Sequence, residues 1–159
     1  MALSADGSLA ASAGYDKMVI AWDPRSGIVR HRLLGHPDVI WAVAFSQSGR
    51  LLVSGGQDYT GSRDYCLRLW DATTGRQVRE LQGHRATISS LLFATDEQIV
   101  SGSWDETIRV WQVGDGKSVQ EFSVGVPVVC LSLSPEGQRI LFGSTSGNLP
   151  DWNQPLAGY

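Results

Sequence analysis

The sequence has little of what most chemical sites are built from. Its 159 residues include two cysteines, Cys66 and Cys130, far apart in the chain. That excludes a disulfide framework and a cysteine-based metal site, and it suits a reducing compartment, the cytoplasm. There is no Cys-x-x-Cys, no His-Glu-x-x-His and no acidic calcium loop, so no metal is expected. Nor is there a Gly-x-x-x-x-Gly-Lys loop to cradle phosphates, and no cofactor is expected. No apolar run reaches the roughly 18 residues a membrane-spanning helix needs. Met1 to Gly14 lacks the basic cluster of a secretory signal, and no Asn-x-Ser/Thr acceptor occurs, so the chain reads as soluble with no membrane partner. Thirteen basic against sixteen acidic residues leave a net charge of −3. Without a basic excess, a phosphate backbone is disfavoured as the main partner, and nucleic acid is not expected.

Glycine, by contrast, is plentiful: eighteen residues, spread evenly, which is the pattern of turns at regular intervals. With 42% apolar and 18% charged residues the composition is that of a folded domain. At roughly 100–200 residues per domain, the length leaves room for one domain and not for a multi-domain enzyme.

A repeat runs through the chain. Trp22, Trp70, Trp111 and Trp152 are spaced by 48, 41 and 41 residues. Each closes a short segment such as Leu67-Arg68-Leu69-Trp70 or Ile108-Arg109-Val110-Trp111, whose period-two alternation predicts strands. Five residues after the first three tryptophans stand Gly27, Gly75 and Gly116, the mark of a turn into a further strand. Upstream, Leu3, Phe45, Phe93 and Leu133 hold one recurring place, so each copy has about four strands. The long first spacing comes from six extra residues, Tyr59 to Asp64. Either Asp58 or Asp64 aligns with Asp105; Asp58 is preferred.

These residues resemble the WD-repeat β-propeller family: a period near 41, the Gly-His pairs Gly35-His36 and Gly83-His84, and the Trp-Asp pairs Trp22-Asp23 and Trp70-Asp71. The resemblance covers nearly the whole chain and implies an all-β fold of four-stranded antiparallel blades, about 3.5 to 4 of them, at residues 1–34, 35–82, 83–123 and 124–159. The last copy is degenerate, with Ser123-Val124 in place of Gly-His, and Pro150 and Asp151 interrupting its third strand.

The resemblance further implies one buried hydrogen-bonded set per blade: His36, Ser54, Asp58 and Trp70 in the second, and His84, Ser101, Asp105 and Trp111 in the third. A buried indole N–H can only donate, and a serine hydroxyl both accepts from it and passes a hydrogen to histidine, whose other nitrogen an aspartate fixes. The first blade has Ser12, Asp16 and Trp22 without a histidine, and the fourth has Phe142 and Ser146 in the serine and aspartate places, so its set cannot form. A His-Ser-Asp set also suggests a hydrolase triad. Its recurrence beside a repeat tryptophan fits a scaffold better, since a nucleophile must be exposed beside an oxyanion hole. His31 falls outside the pattern and is expected on the outermost strand with its ring partly solvated.

Three places per blade are implied as a partner-binding surface on the loops at one end of the propeller. These are Val39, Trp41 and Gln57 in the second blade, Thr87, Ser89 and Trp104 in the third, and Tyr15 in the first; Pro127, Val129 and Thr145 align in the fourth. Trp41 and Trp104 stand out, because exposed tryptophan is a frequent anchor in interfaces; burial of both between sheets would end that expectation. The insert lengthens a turn on the same side.

The length divides into about 3.9 units of 41 residues, so a complete ring within one copy is not expected. The chain is read as a segment of a larger propeller, as one of two copies that self-associate into a seven- or eight-bladed ring, or as an open arc. The function expected is a non-catalytic scaffold binding other proteins or peptides. The alternative is the propeller portion of a larger regulatory protein with its effector or enzymatic domain elsewhere. A small-molecule site in a central channel has no convergent polar residues to support it.

Overall fold

The computed structural model describes residues 1–57, 61 and 65–145, and every regular element among them is a strand. The first sheet is a four-stranded antiparallel meander of β1 (Ala2–Leu3), β2 (Ala10–Ala13), β3 (Met18–Trp22) and β4 (Val29–Leu34). A second repeats it with β5 (Ile40–Phe45), β6 (Leu51–Gly56), β7 (Leu67–Asp71) and β8 (Gln77–Leu81). The third comprises β9 (Ile88–Thr95), β10 (Gln98–Ser103), β11 (Thr107–Gln112) and β12 (Ser118–Ser123). In the fourth, two strands are described, β13 (Val128–Leu133) paired with β14 (Ile140–Ser144). The molecule is thus an open row of propeller blades, as expected. Asp58, the insert apart from Gly61, and the fourth-blade residues Ser146, Pro150, Asp151 and Trp152 lie outside the described residues.

The alternation along β7 and β11 has a physical reason beyond strand formation. Both strands are buried on two faces, because a blade lies on each side of them. Leu67 and Leu69 join the core against the third blade, whereas Trp70 joins the core against the first. Arg68 shares the Trp70 face and remains buried. The core is accordingly divided into three clusters, one per junction: Val19, Leu33, Leu52 and Trp70 at the first, Val53, Leu81, Ile88 and Trp111 at the second, and Val100, Val110, Val128 and Ile140 at the third.

The turns after Trp22 and Trp70 are closed locally. Asp71 Oδ1 accepts from the Thr73 and Thr74 amides at 2.9 and 2.8 Å, and Asp23 Oδ1 does the same for Arg25 and Ser26 at 2.9 and 3.2 Å. These amides, the Thr74 amide first for Asp71, hold both carboxyls below the usual carboxylate range. This is the work of the Trp-Asp aspartate: it offers the backbone a turn instead of a continued ladder. Gly75 follows in the left-handed region (φ 70°), with the His31 ring packed where a side chain would stand.

Two close approaches set the junctions. A Cβ on Gly55 would lie 2.9 Å from the Ile88 side chain, and one on Gly102 would collide with Val128. The Ser-Gly pairs of β6 and β10 therefore combine a hydrogen-bonding side chain with a gap that admits the first strand of the next blade. Polar straps finish the contact. The His31 ring, half-buried on β4 as expected, lies with Nε2 2.9 Å from the Thr73 carbonyl of the next blade and donates to it. Arg79 occupies the same place on β8 and donates to the Gly114 carbonyl at 2.9 Å.

Candidate functional site

Two sets of residues recur with the blades: one inside, one on the loop face. The inner set is complete in the third blade. The Trp111 indole donates to Ser101 Oγ at 2.8 Å, and Ser101 Oγ lies 2.6 Å from His84 Nε2. His84 Nδ1 faces Asp105 Oδ2 at 2.8 Å. A carboxylate can only accept, so Nδ1 carries the hydrogen and Nε2 takes that of the serine hydroxyl. Asp105 also accepts from the Arg85 amide at 2.9 Å and the Thr107 hydroxyl at 2.6 Å. Burial is the largest single influence and pushes its pKa up, but the His84 imidazole, Thr107 and Arg85 together outweigh it and hold the carboxyl well below its usual range.

This geometry is not that of a nucleophile. Ser101 is wholly buried, and its oxygen is occupied by an indole. The second blade repeats the arrangement: Trp70 donates to Ser54 Oγ at 2.8 Å, and Ser54 Oγ lies 2.7 Å from His36 Nε2. At His36 Nδ1 the structure adds a partner the sequence reading missed, the guanidinium of Arg68 at 3.0 Å. The signal was present as matching pairs on adjacent strands: Arg68 opposes Glu80, and Arg109 opposes Glu121. Arg109 bonds Glu121 at 2.8 Å. In the first blade, Asp16 Oδ1 accepts from the Met18 amide at 3.3 Å. Ser12 and Trp22 make no indole-to-hydroxyl bond there among the described residues, and Trp22 is half-buried where its equivalents are covered.

The outer set is organised by a repeated β-bulge. In β5 and β6, Ile40 opposes Gly56 and Ala42 opposes Gly55, which leaves Trp41 as the extra residue. Ser89 and Val129 are skipped in the same way in the third and fourth blades. A bulge re-aims the side chain of its extra residue, here toward the end of the sheet where the loops gather. Trp41 from the second blade thereby meets Trp104, which follows β10 in the third: the ring centroids are 6.2 Å apart with the planes tilted by 53°. Both indoles remain open to solvent, at 46% and 42% exposure. The Trp104 amide donates to the Thr87 carbonyl at 2.9 Å, which fixes the turn that carries it.

A family model for the WD40 repeat (WD domain, G-beta repeat) matches residues 1–23, 27–71 and 75–112. The chain belongs to the WD40 repeat family. It is 38% identical over 99 residues to nuclear distribution protein PAC1 of Arthroderma otae, covering 57% of the chain and 20% of that protein. It is 30% identical over 154 residues to B-type cell cycle switch protein ccs52B of Medicago truncatula, covering 94% of the chain and 31% of that protein. A third relative is autophagy-related protein 16 of Arabidopsis thaliana, 32% identical over 127 residues, with 57% of the chain and 25% of that protein covered. The chain thus spans between a fifth and a third of the length of these relatives.

Within the WD40 blades the expected surface positions separate into two groups. Tyr15, Trp41, Trp104, Val129 and Thr145 are exposed. Val39 and Thr87 are buried, a correction to the surface expectation: each lies just before the first strand of its blade, and its carbonyl pairs with the amide of Gln57 or Trp104. Ser89 is also committed elsewhere, its hydroxyl lying between the carbonyls of Gly102 and Val128 and joining the third WD40 blade to the fourth. Gln57 is half-buried, and its Oε1 is enclosed without a hydrogen-bond partner among the described residues. Pro127 is half-buried. No group of His, Cys, Asp and Glu among the described residues is arranged to hold a metal ion. No helix among them is long and apolar enough to cross a membrane.

Proposed function

We propose that this WD40 chain is a non-catalytic scaffold that binds other proteins or peptides through the loop face carrying Trp41 and Trp104. The observation that carries the reading is the pair itself, two adjoining indoles from different blades kept nearly half exposed. Large apolar side chains are ordinarily covered, and tryptophans left open beside each other on rigid strands have the rigidity and apolar area of an interface anchor. Tyr15, exposed on the first blade, and Val129, exposed at the equivalent bulge of the fourth, extend the same face. Gln57, half-buried, is counted with it. Val39, Thr87 and Ser89 act beneath it, as supports. A net charge of −3 fits protein partners better than nucleic acid, and the cytoplasm suits two thiols of which neither takes part in a disulfide.

The test is a quantitative pull-down with three forms of the chain: wild type, the Trp41→Ala, Trp104→Ala double variant, and Val78→Ala, which changes an exposed apolar residue on the outer strand β8. Circular dichroism and melting should match across the three. The double variant is expected to lose the partners that the other two retain, and equal recovery by all three would overturn the assignment.

A further inference from the structure

The Trp41 and Trp104 pair offers a partner more than apolar area. Its planes meet at 53° with centroids 6.2 Å apart, a tilted contact and not a stack, and the rings keep 46% and 42% of their surface open. An indole face carries the negative part of the ring quadrupole, and of the aromatic side chains tryptophan attracts a cation most strongly. The protein uses that attraction within its own fold, where the Arg109 guanidinium stands 5.9 Å from the centre of the Trp111 ring. Over Trp41 and Trp104 no cation of the chain is placed in this way among the described residues.

The charges around the pair favour a cation as well. The described turns of this face carry Asp16, Asp38, Asp105 and Glu106 against Lys17 and Arg85. Several of these are already engaged. Lys17 Nζ donates to the Pro37 carbonyl at 2.8 Å, Asp105 holds the His84 ring, and Asp38 is buried. Glu106 is exposed, and its carboxylate takes part in no hydrogen bond or ion pair among the described residues. It lies two residues beyond Trp104, in the turn between β10 and β11, and its carbonyl accepts from the Val124 amide at 2.9 Å. The first blade repeats this turn with Lys17 in the place of Glu106, and both residues are in the left-handed region, at φ 65° and 66°. The turn therefore fixes the backbone and leaves the sign of the charge open, and beside Trp104 the sign is negative.

We propose that the two indoles receive a cationic side chain, arginine or lysine, from a partner peptide, and that the Glu106 carboxylate attracts the same charge. This rests on the reading of the pair as a binding surface and names the chemistry which that surface takes. An apolar or proline-rich segment would cover the rings but give the carboxylate nothing in exchange for lost water. A cation answers both groups. Arg85, exposed on the same face, opposes such a ligand, so its removal is expected to help binding.

A random heptapeptide phage library, panned in parallel on the full wild-type chain and on the Trp41→Ala, Trp104→Ala variant, supplies the probes. Peptides enriched on the wild type alone are expected to share an arginine or a lysine. In fluorescence polarisation, replacing that residue by citrulline or norleucine should weaken binding at least about fivefold. Glu106→Gln should weaken the cationic peptides about twofold to fivefold, and Arg85→Gln should strengthen them, with circular dichroism and melting unchanged. Enriched peptides that lack a cation, or that bind equally well after the citrulline or norleucine change, would overturn the cation and leave the indole surface standing. An affinity untouched by Glu106→Gln would overturn the part given to the carboxylate. Identical selections on the two chains, an empty one included, would overturn the surface itself and the proposal with it.

Discussion

Asp105 accepts from the His84 ring and the Arg85 amide on one oxygen, and from Thr107 on the other. Removing its charge leaves those donors facing an unsuitable partner in a largely enclosed place. Asp105→Asn is therefore expected to cost about 1–3 kcal/mol in urea unfolding at neutral pH. The direction with pH follows from linkage. Folding depresses this carboxyl below its usual 3.8, so its stabilisation is complete above the unfolded value and is lost as pH falls from there toward the folded one. The gap between wild type and Asp105→Asn should shrink steadily below about pH 4, and a gap that stays constant to about pH 3 would show that the carboxylate charge is not its source. The residues of this set were named through the resemblance to the WD-repeat family, and the chemistry supports them: an indole, a hydroxyl, an imidazole and a carboxylate answer one another's hydrogen-bonding needs. Arg68 was marked only by its pairing with Glu80; its contact with His36 depends on a guanidinium reaching back from a strand buried on both faces.

For the strands, the junction glycines are the sensitive points. Gly102→Ala is expected to destabilise the chain by about 1–3 kcal/mol through the collision with Val128. The Gly102→Ala, Val128→Ala pair should lose less than the two single changes added together, because the second alanine removes the obstructing methyls. Strict additivity in the four-member cycle would show that the two residues do not compete for one space. Strand number and turn positions could be read from period-two alternation and spaced glycines, both local properties. The bulge could not. It is a mismatch between two strands, and one skipped residue decides that Trp41 reaches the loop face while Val39, two positions earlier, is covered. The family resemblance implied a surface place for both, and the pairing overruled it for Val39.

At the scale of the whole molecule, a row of blades is stabilised by its junctions. The sequence alone determined the repeat unit, the strands within it and the turns that follow Trp22, Trp70 and Trp111, because each rests on residues close in the chain, and through its family resemblance it named the buried set of the third blade. Only the tertiary structure decided which copy of a repeated face is covered, and that Trp41 and Trp104, 63 positions apart, come to share one exposed surface. Identical local patterns meet different neighbours along the row, and burial belongs to the neighbour as much as to the residue.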